Sequence, residues 1–283
     1  MTMGDDMHTI VEDSIFKRAV IAVAFSPRLT AVLNESYKLS KKLGAWPIIV
    51  HVGEESPATR VRLDEAIQRS SFKHHPPITI VRQGNPVDVL VDVAKEYEAD
   101  LIIAGALPKE GVFKYYLGSI ARNLARQAPM SVMLLTEPRE KPSRLSKIQC
   151  AVEYNEKGEK AAVVASRLAY FCDTRDLYYT LSFSVPDWEE TRKIADRIKE
   201  IYNREDEKLH EFLDGIDLWS VAFHARCLNE QSPGVTLNFA REIGADLLIV
   251  PGPEGQLSLW NRWFPQNFEL AMQHLPCSLL LVR

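Results

Sequence analysis

The stretch AKEYEADLIIAG, residues 94–105, decides the fold, because AREIGADLLIVPG, residues 240–252, repeats it 146 positions later. Each copy closes a helical pattern, turns at an Ala-Asp pair (Ala99-Asp100, Ala245-Asp246) and runs into consecutive apolar residues. An unbroken apolar run of this length reads as a strand buried on both faces, the kind found in parallel sheets covered by helices.

Working outward, the same alternation fills both halves. In the first, strands are expected at Ala19–Phe25, Ile48–Val52, Ile78–Gln83, Leu101–Gly105 and Val132–Leu135. Helices fit between them at Leu29–Leu43, Pro57–Phe72, Val87–Tyr97 and Ser119–Ala128. Ser56-Pro57 supplies a cap and a first helical residue whose missing N–H is no loss. In the second half, strands are expected at Ile148–Val152, Leu177–Phe183, Leu218–Ala225, Leu247–Val250 and Ser278–Val282. Its helices fit near Gly158–Cys172, Asp187–Leu213, Val235–Ile243 and Gln266–His274.

Pro129-x-Ser131 and Pro276-x-Ser278 precede the two last strands at an offset of 147. The first strands, at Val20 and Ile148, are offset by only 128, so about 18 residues were added inside the second copy. The addition lengthens the helix from Asp187 onward, which keeps Ile194, Ile198, Ile201, Leu209, Phe212 and Leu213 on one face. The polar segment around residues 139–145, with Pro138 and Pro142, reads as a linker. The expected organisation is therefore an α/β protein of two tandem doubly wound parallel-sheet domains, residues 1–138 and 146–283.

Composition fits a globular chain: 283 residues, 46% hydrophobic, 25% charged, net charge −4. That charge gives no reason to expect nucleic acid or an anionic membrane as partner. The acidic excess is local: Asp187–Asp217 holds 11 acids against 6 bases, the solvated face of the long helix. The longest apolar runs, such as Ala19–Phe25, are too short to span a bilayer, and the acidic start of the chain does not read as a signal peptide. Cys150, Cys172, Cys227 and Cys277 show no metal or disulfide spacing and read as reduced thiols in a cytoplasmic protein.

Several features together resemble the universal stress protein family. They are Ala22-Val-Ala-Phe-Ser-Pro27, His51-Val52, Gly84-Asn85-Pro86, Ala99-Asp100-Leu-Ile-Ile-Ala-Gly105 and Gly118-Ser119-Ile-Ala-Arg-Asn-Leu before Ala128-Pro129. The second half matches chiefly through its last forty residues. The resemblance implies a stress-response protein without catalytic residues, acting as a ligand-responsive or partner-binding module. The alternative it implies is an adenine-nucleotide protein, holding ATP or AMP with at most weak hydrolysis. It also implies self-association, as an internal pseudo-dimer through the last strands or as a homodimer.

Nucleotide-binding members use G-x2-G-x9-G-[S/T] after the fourth strand and an Asp after the first. In the first copy the pattern survives as Gly105-x2-Pro108-x9-Gly118-Ser119, with Phe25 at the Asp position. Gly105, Gly118, Ser119 and Val52 are its candidate nucleotide contacts, with Lys109 and Lys114 as flanking charges. In the second copy Glu153 supplies the carboxylate, beside Gly252 and Gly255, but Pro265-Gln266 replaces the Gly-Ser pair. Taken alone, Glu153 reads as an exposed acid in a strand-to-loop turn. Aromatic residues recur before both last helices, in segments 113–116 and 260–264, as candidate partner anchors or sheet-end cover. No H-E-x-x-H, P-loop or nucleophile elbow is present, and the seven histidines form no metal set.

Overall fold

The structure is a computed structural model that describes residues 14–106, 118–141, 144–183, 194–229, 234–252 and 275–283. It divides into two compact units. The first comprises residues 1–144 with 278–281, and the second residues 145–277 with 282–283.

In the first unit, β1 (Arg18–Val23), β2 (Trp46–Val52), β3 (Ile78–Arg82), β4 (Leu101–Gly105) and β5 (Ser131–Leu135) form a parallel sheet in the order β3-β2-β1-β4-β5. Helices α1 (Leu29–Leu43), α2 (Pro57–Gln68), α3 (Pro86–Glu96) and α4 (Ser119–Gln127) alternate with these strands. The apolar runs read from the sequence are buried: Ile21, Ile48, Ile49, Leu101, Ile102 and Ile103 are wholly inaccessible. A last strand, Ser278–Val282, lies antiparallel on β5 with Leu280 opposite Met133.

In the second unit, β6 (Lys147–Ala151), β7 (Asp176–Phe183), β8 (His224–Asn229) and β9 (Leu247–Pro251) are parallel in the order β8-β7-β6-β9. Their helices are α5 (Glu156–Cys172), α6 (Ile194–Asp214) and α7 (Val235–Ile243), and the strand at Ser278–Val282 is β10. The expected helix at Gln266–His274 and the start of the long helix before Ile194 fall outside the described residues. Among the described residues, no helix is long and apolar enough to cross a membrane.

The repeated Ala-Asp pair has a structural task. Asp100 accepts the backbone N–H of Lys17 (2.9 Å) and Arg18 (3.2 Å). Asp246 accepts those of Ser146 (2.7 Å) and Lys147 (2.9 Å). Each carboxylate thus pins the entry of its own unit's first strand beside its fourth. Charge-assisted bonds of this kind are about twice as strong as neutral ones.

Two elements depart from expectation. Helix α2 ends at Gln68 rather than running to Phe72, because the Ser70 hydroxyl donates to Ile67 O (2.8 Å) and accepts Phe72 N–H (3.1 Å). That capping starts a short 3-10 turn, Ser71–His74, which buries Phe72. The strand expected at Leu218–Ala225 instead spans His224–Asn229. Trp219 and Ser220 have φ of 54° and 52°, which no strand accommodates. Trp219 packs against Tyr170 and Phe171, while its N–H donates to Asp217.

Candidate functional site

In an open parallel sheet, ligands bind beyond the carboxyl ends of the strands where the strand order reverses. The reversal falls between β1 and β4 in the first unit, and between β6 and β9 in the second. Both places hold residues singled out from the sequence.

At the first crevice, Gly105 is the last residue of β4, paired with Leu135, and the next amide, Ala106 N–H, donates to Leu135 O (2.8 Å). Gly118 begins α4 with extended backbone (φ −57°, ψ 152°), and among the described residues no side chain caps the helix. A side chain added at Gly118 would meet nothing within 4 Å among the described residues, and Ser119 is exposed. Helices α1 and α7 likewise begin without a side-chain cap, at Arg28 and Gly234, whereas in α2, α3 and α5 Ser56, Asn85 and Asn155 accept the first-turn amides. An uncapped first turn presents N–H donors and a positive dipole end to whatever lies before it. Val52 ends β2, half-buried and paired with Arg82. Pro108, Lys109, Lys114 and the aromatic segment 113–116 lie outside the described residues.

Phe25, at the position of the missing carboxylate, is not idle. Its ring centroid lies 4.2 Å from that of His51, and the Arg62 guanidinium carbon sits 4.2 Å over it. His51 Nδ1 lies 3.1 Å from Val23 O, and since a carbonyl can only accept, this nitrogen carries the proton.

At the second crevice the expectation for Glu153 is overturned. It is 4% exposed, because the chain after β6 folds over the first turn of α5. A side chain at Gly158 would come within 2.6 Å of Glu153 N and 2.8 Å of its carbonyl carbon, so only glycine admits the approach. Glu153 Oε2 accepts Asn155 Nδ2–H (2.9 Å), while Oε1 is buried and has no hydrogen-bond partner among the described residues. The other end of Asn155 caps α5, its Oδ1 accepting from Lys157 N–H (3.1 Å) and Gly158 N–H (2.9 Å). Lys157 Nζ donates to Gly252 O (3.3 Å).

Gly252 does not present an open cradle. Its N–H donates to Val282 O (2.6 Å), and a side chain there would sit 3.2 Å from Arg283 Nε and nearer still to Arg283 Cγ. Burial lowers the Arg283 guanidinium to about 10. Gly255, Pro265, Gln266 and the aromatic segment 260–264 lie outside the described residues.

The four thiols are free, with Cys150 and Cys277 buried and Cys172 and Cys227 half-buried. Burial pushes Cys227 up to about 12, helped by Asp206 and Glu205, and Cys277 to about 12, helped by Asp246. Such thiols stay protonated at neutral pH and are poor nucleophiles. Among the described residues, no group of three or more His, Cys, Asp or Glu side chains could hold a metal ion.

Comparison with known proteins agrees with this architecture. Residues 54–136 match the model of the universal stress protein family. A universal stress protein of Methanocaldococcus jannaschii is 26% identical over 98 residues, which cover 34% of this chain and 56% of that protein. The match therefore spans little more than half that relative's length. Among solved structures, a putative universal stress protein of Pseudomonas aeruginosa superposes with a TM-score of 0.67 at 14% identity, over 94% of this chain and 93% of that one. A universal stress protein of Archaeoglobus fulgidus does so with a TM-score of 0.61 at 16% identity, over 95% and 97%. A Pseudomonas aeruginosa protein of unknown function gives 0.66 at 14% identity, over 94% and 92%. At these identities the superpositions establish the fold.

Proposed function

Taking the chain as a member of the universal stress protein family, we propose that it is a non-catalytic, ligand-responsive module of the stress response. The carrying observation is Glu153 Oε1, buried at the second unit's strand-order reversal and without a hydrogen-bond partner among the described residues. Native proteins satisfy nearly all buried polar atoms, and an unpaired buried carboxylate oxygen is among the most costly to leave. A ligand that brings a hydroxyl or amine hydrogen to that oxygen would complete the site. Burial raises the Cys227 and Cys277 thiols, so neither side chain is suited to act as a nucleophile at neutral pH.

The test is mass spectrometry of small molecules released from freshly purified protein, with Glu153→Gln prepared in parallel. The amide keeps the bond to Asn155 but places a donor where an acceptor stood. A compound released by the wild type and depleted at least tenfold in the variant supports the reading. Equal release from both, or none from either, removes it.

A second reading, an adenine-nucleotide site (ATP or AMP) in the first unit, is favoured by the uncapped first turn of α4 at Gly118-Ser119. Excess ATP that leaves the melting temperature of purified protein unchanged would end that reading. Both readings allow self-association, which light scattering on eluting protein would detect as a mass above that of one chain.

A further inference from the structure

We infer that Phe25, His51 and Arg62 form a stacking subsite that takes the face of a planar heteroaromatic ring, without reading its edge. This rests on the second reading above, a phosphate-bearing ligand in the first unit's crevice.

Each of the three residues has a defined part. Phe25 stands just past the end of β1, beside the strand-order reversal, with its ring half-buried. His51 is the fixed side of the subsite: Nδ1–H is held by Val23 O, and Gly53 leaves room for the imidazole. A side chain at Gly53 would fall 2.8 Å from His51 Nε2. Arg62 is the exchangeable part, an exposed side chain on α2 resting over Phe25 at 4.2 Å. A cation on an aromatic face at an exposed site is held weakly. A nucleobase stacked on an aromatic ring is held more strongly, and the displaced guanidinium then has a phosphate within its chemistry.

The consequence is a specificity. A carboxylate at this position would accept hydrogen bonds and discriminate among ligands by their donors. A phenyl ring has no such capacity, and every base has a π-face, so bases should be accepted alike.

The experiment is titration calorimetry with AMP, GMP, ribose 5-phosphate and inorganic phosphate. It uses the wild type, Phe25→Ala, Phe25→Trp and Arg62→Gln. AMP and GMP should bind within a few-fold of each other, and each about tenfold or more tighter than ribose 5-phosphate. Phe25→Ala should lose that advantage with ribose 5-phosphate binding unchanged, and Phe25→Trp should keep it. Arg62→Gln should alter AMP and GMP binding while leaving ribose 5-phosphate and inorganic phosphate unchanged, because only a stacked base displaces the guanidinium from Phe25.

If ribose 5-phosphate binds as tightly as AMP, the subsite is refuted while the anion site stands. A preference for AMP over GMP of tenfold or more also refutes it. If none of the compounds binds, the underlying reading falls and the subsite with it. Phe25→Trp guards against a folding artefact, because a ring at position 25 preserves the packing against His51.

Discussion

Replacing Gly158 with alanine should cripple the second unit, although the same change in most helices is beneficial. Within a helix, Gly→Ala ordinarily gains about 1 kcal/mol from reduced backbone entropy. Here the new methyl carbon would lie 2.6 Å from Glu153 N and 2.8 Å from Glu153 C, against 3.4–4 Å for ordinary contact. The Glu153 backbone cannot simply retreat. Its carbonyl accepts Asn155 N–H (2.8 Å), and the preceding Val152 N–H is bonded to Thr180 O (2.9 Å). Moving it also disturbs the Asn155 cap on Lys157 and Gly158. Overpacking at about 1–3 kcal/mol and a damaged cap at about 1 kcal/mol outweigh the helix gain, leaving a net loss of roughly 1–3 kcal/mol. For a unit of this size that corresponds to a fall of roughly 4–12 °C in melting temperature. Calorimetry of the variant beside Gly118→Ala is the assay, since a side chain at Gly118 meets nothing within 4 Å among the described residues. A Gly158→Ala protein that melts within about 2 °C of wild type would refute the packing of Glu153 over α5.

Three further outcomes are expected. Cys277 is raised in the folded state from an ordinary 9.0 to about 12, so the stability it confers is complete below pH 9 and lost as pH climbs towards 12. Cys277→Ala should flatten that part of the alkaline stability profile measured by urea denaturation. Leu280→Ala removes a fully buried side chain opposite Met133 and should cost about 2–5 kcal/mol. Hydrogen exchange should speed up at Val132–Leu134, and unchanged protection there would contradict the pairing of β10 with β5. Asp100→Ala releases the amides of exposed Lys17 and Arg18, and Asp246→Ala those of half-buried Ser146 and Lys147; each should destabilise, by about 1–3 kcal/mol, with the larger loss at Asp246, read as lowered denaturation midpoints.

The fold was legible because parallel strands covered on both faces must be apolar throughout, and Leu101–Gly105 and Leu247–Pro251 are. Strand β8 was misplaced because it is an outer strand of its sheet, where His224, Arg226 and Asn229 need no burial, while the apolar letters of Leu218–Val221 belong to a turn. The role of Asp100 and Asp246 could have been found from their identical place in both copies. The burial of Glu153 could not, since Tyr154, Asn155 and Glu156 beside it are polar and exposed. What hides Glu153 is the glycine five residues on, which lets backbone meet backbone. The meeting of Phe25 with Arg62 was equally invisible, because neither residue belongs to a periodic face.

The two crevices have parted in complementary directions, and the physics explains why neither could keep everything. In the first unit α4 starts at Gly118 without a side-chain cap among the described residues, and Phe25 stands past β1 where the second unit has Glu153. A carboxylate near that donor set would repel the charge the helix attracts unless a ligand's own hydroxyls bridged the two. In the second unit the carboxylate persists, while Gly252 N–H is committed to Val282 O and the α5 amides are committed to Asn155. With those donors spent, an anion gains little there, and the buried Glu153 oxygen selects for a ligand that donates. On the two proposed readings, phosphate compounds and donor-rich neutral or cationic compounds should stabilise different units. Hydrogen exchange followed separately on β1–β4 and β6–β9 amides resolves this, and protection of both units by one ligand class would count against it.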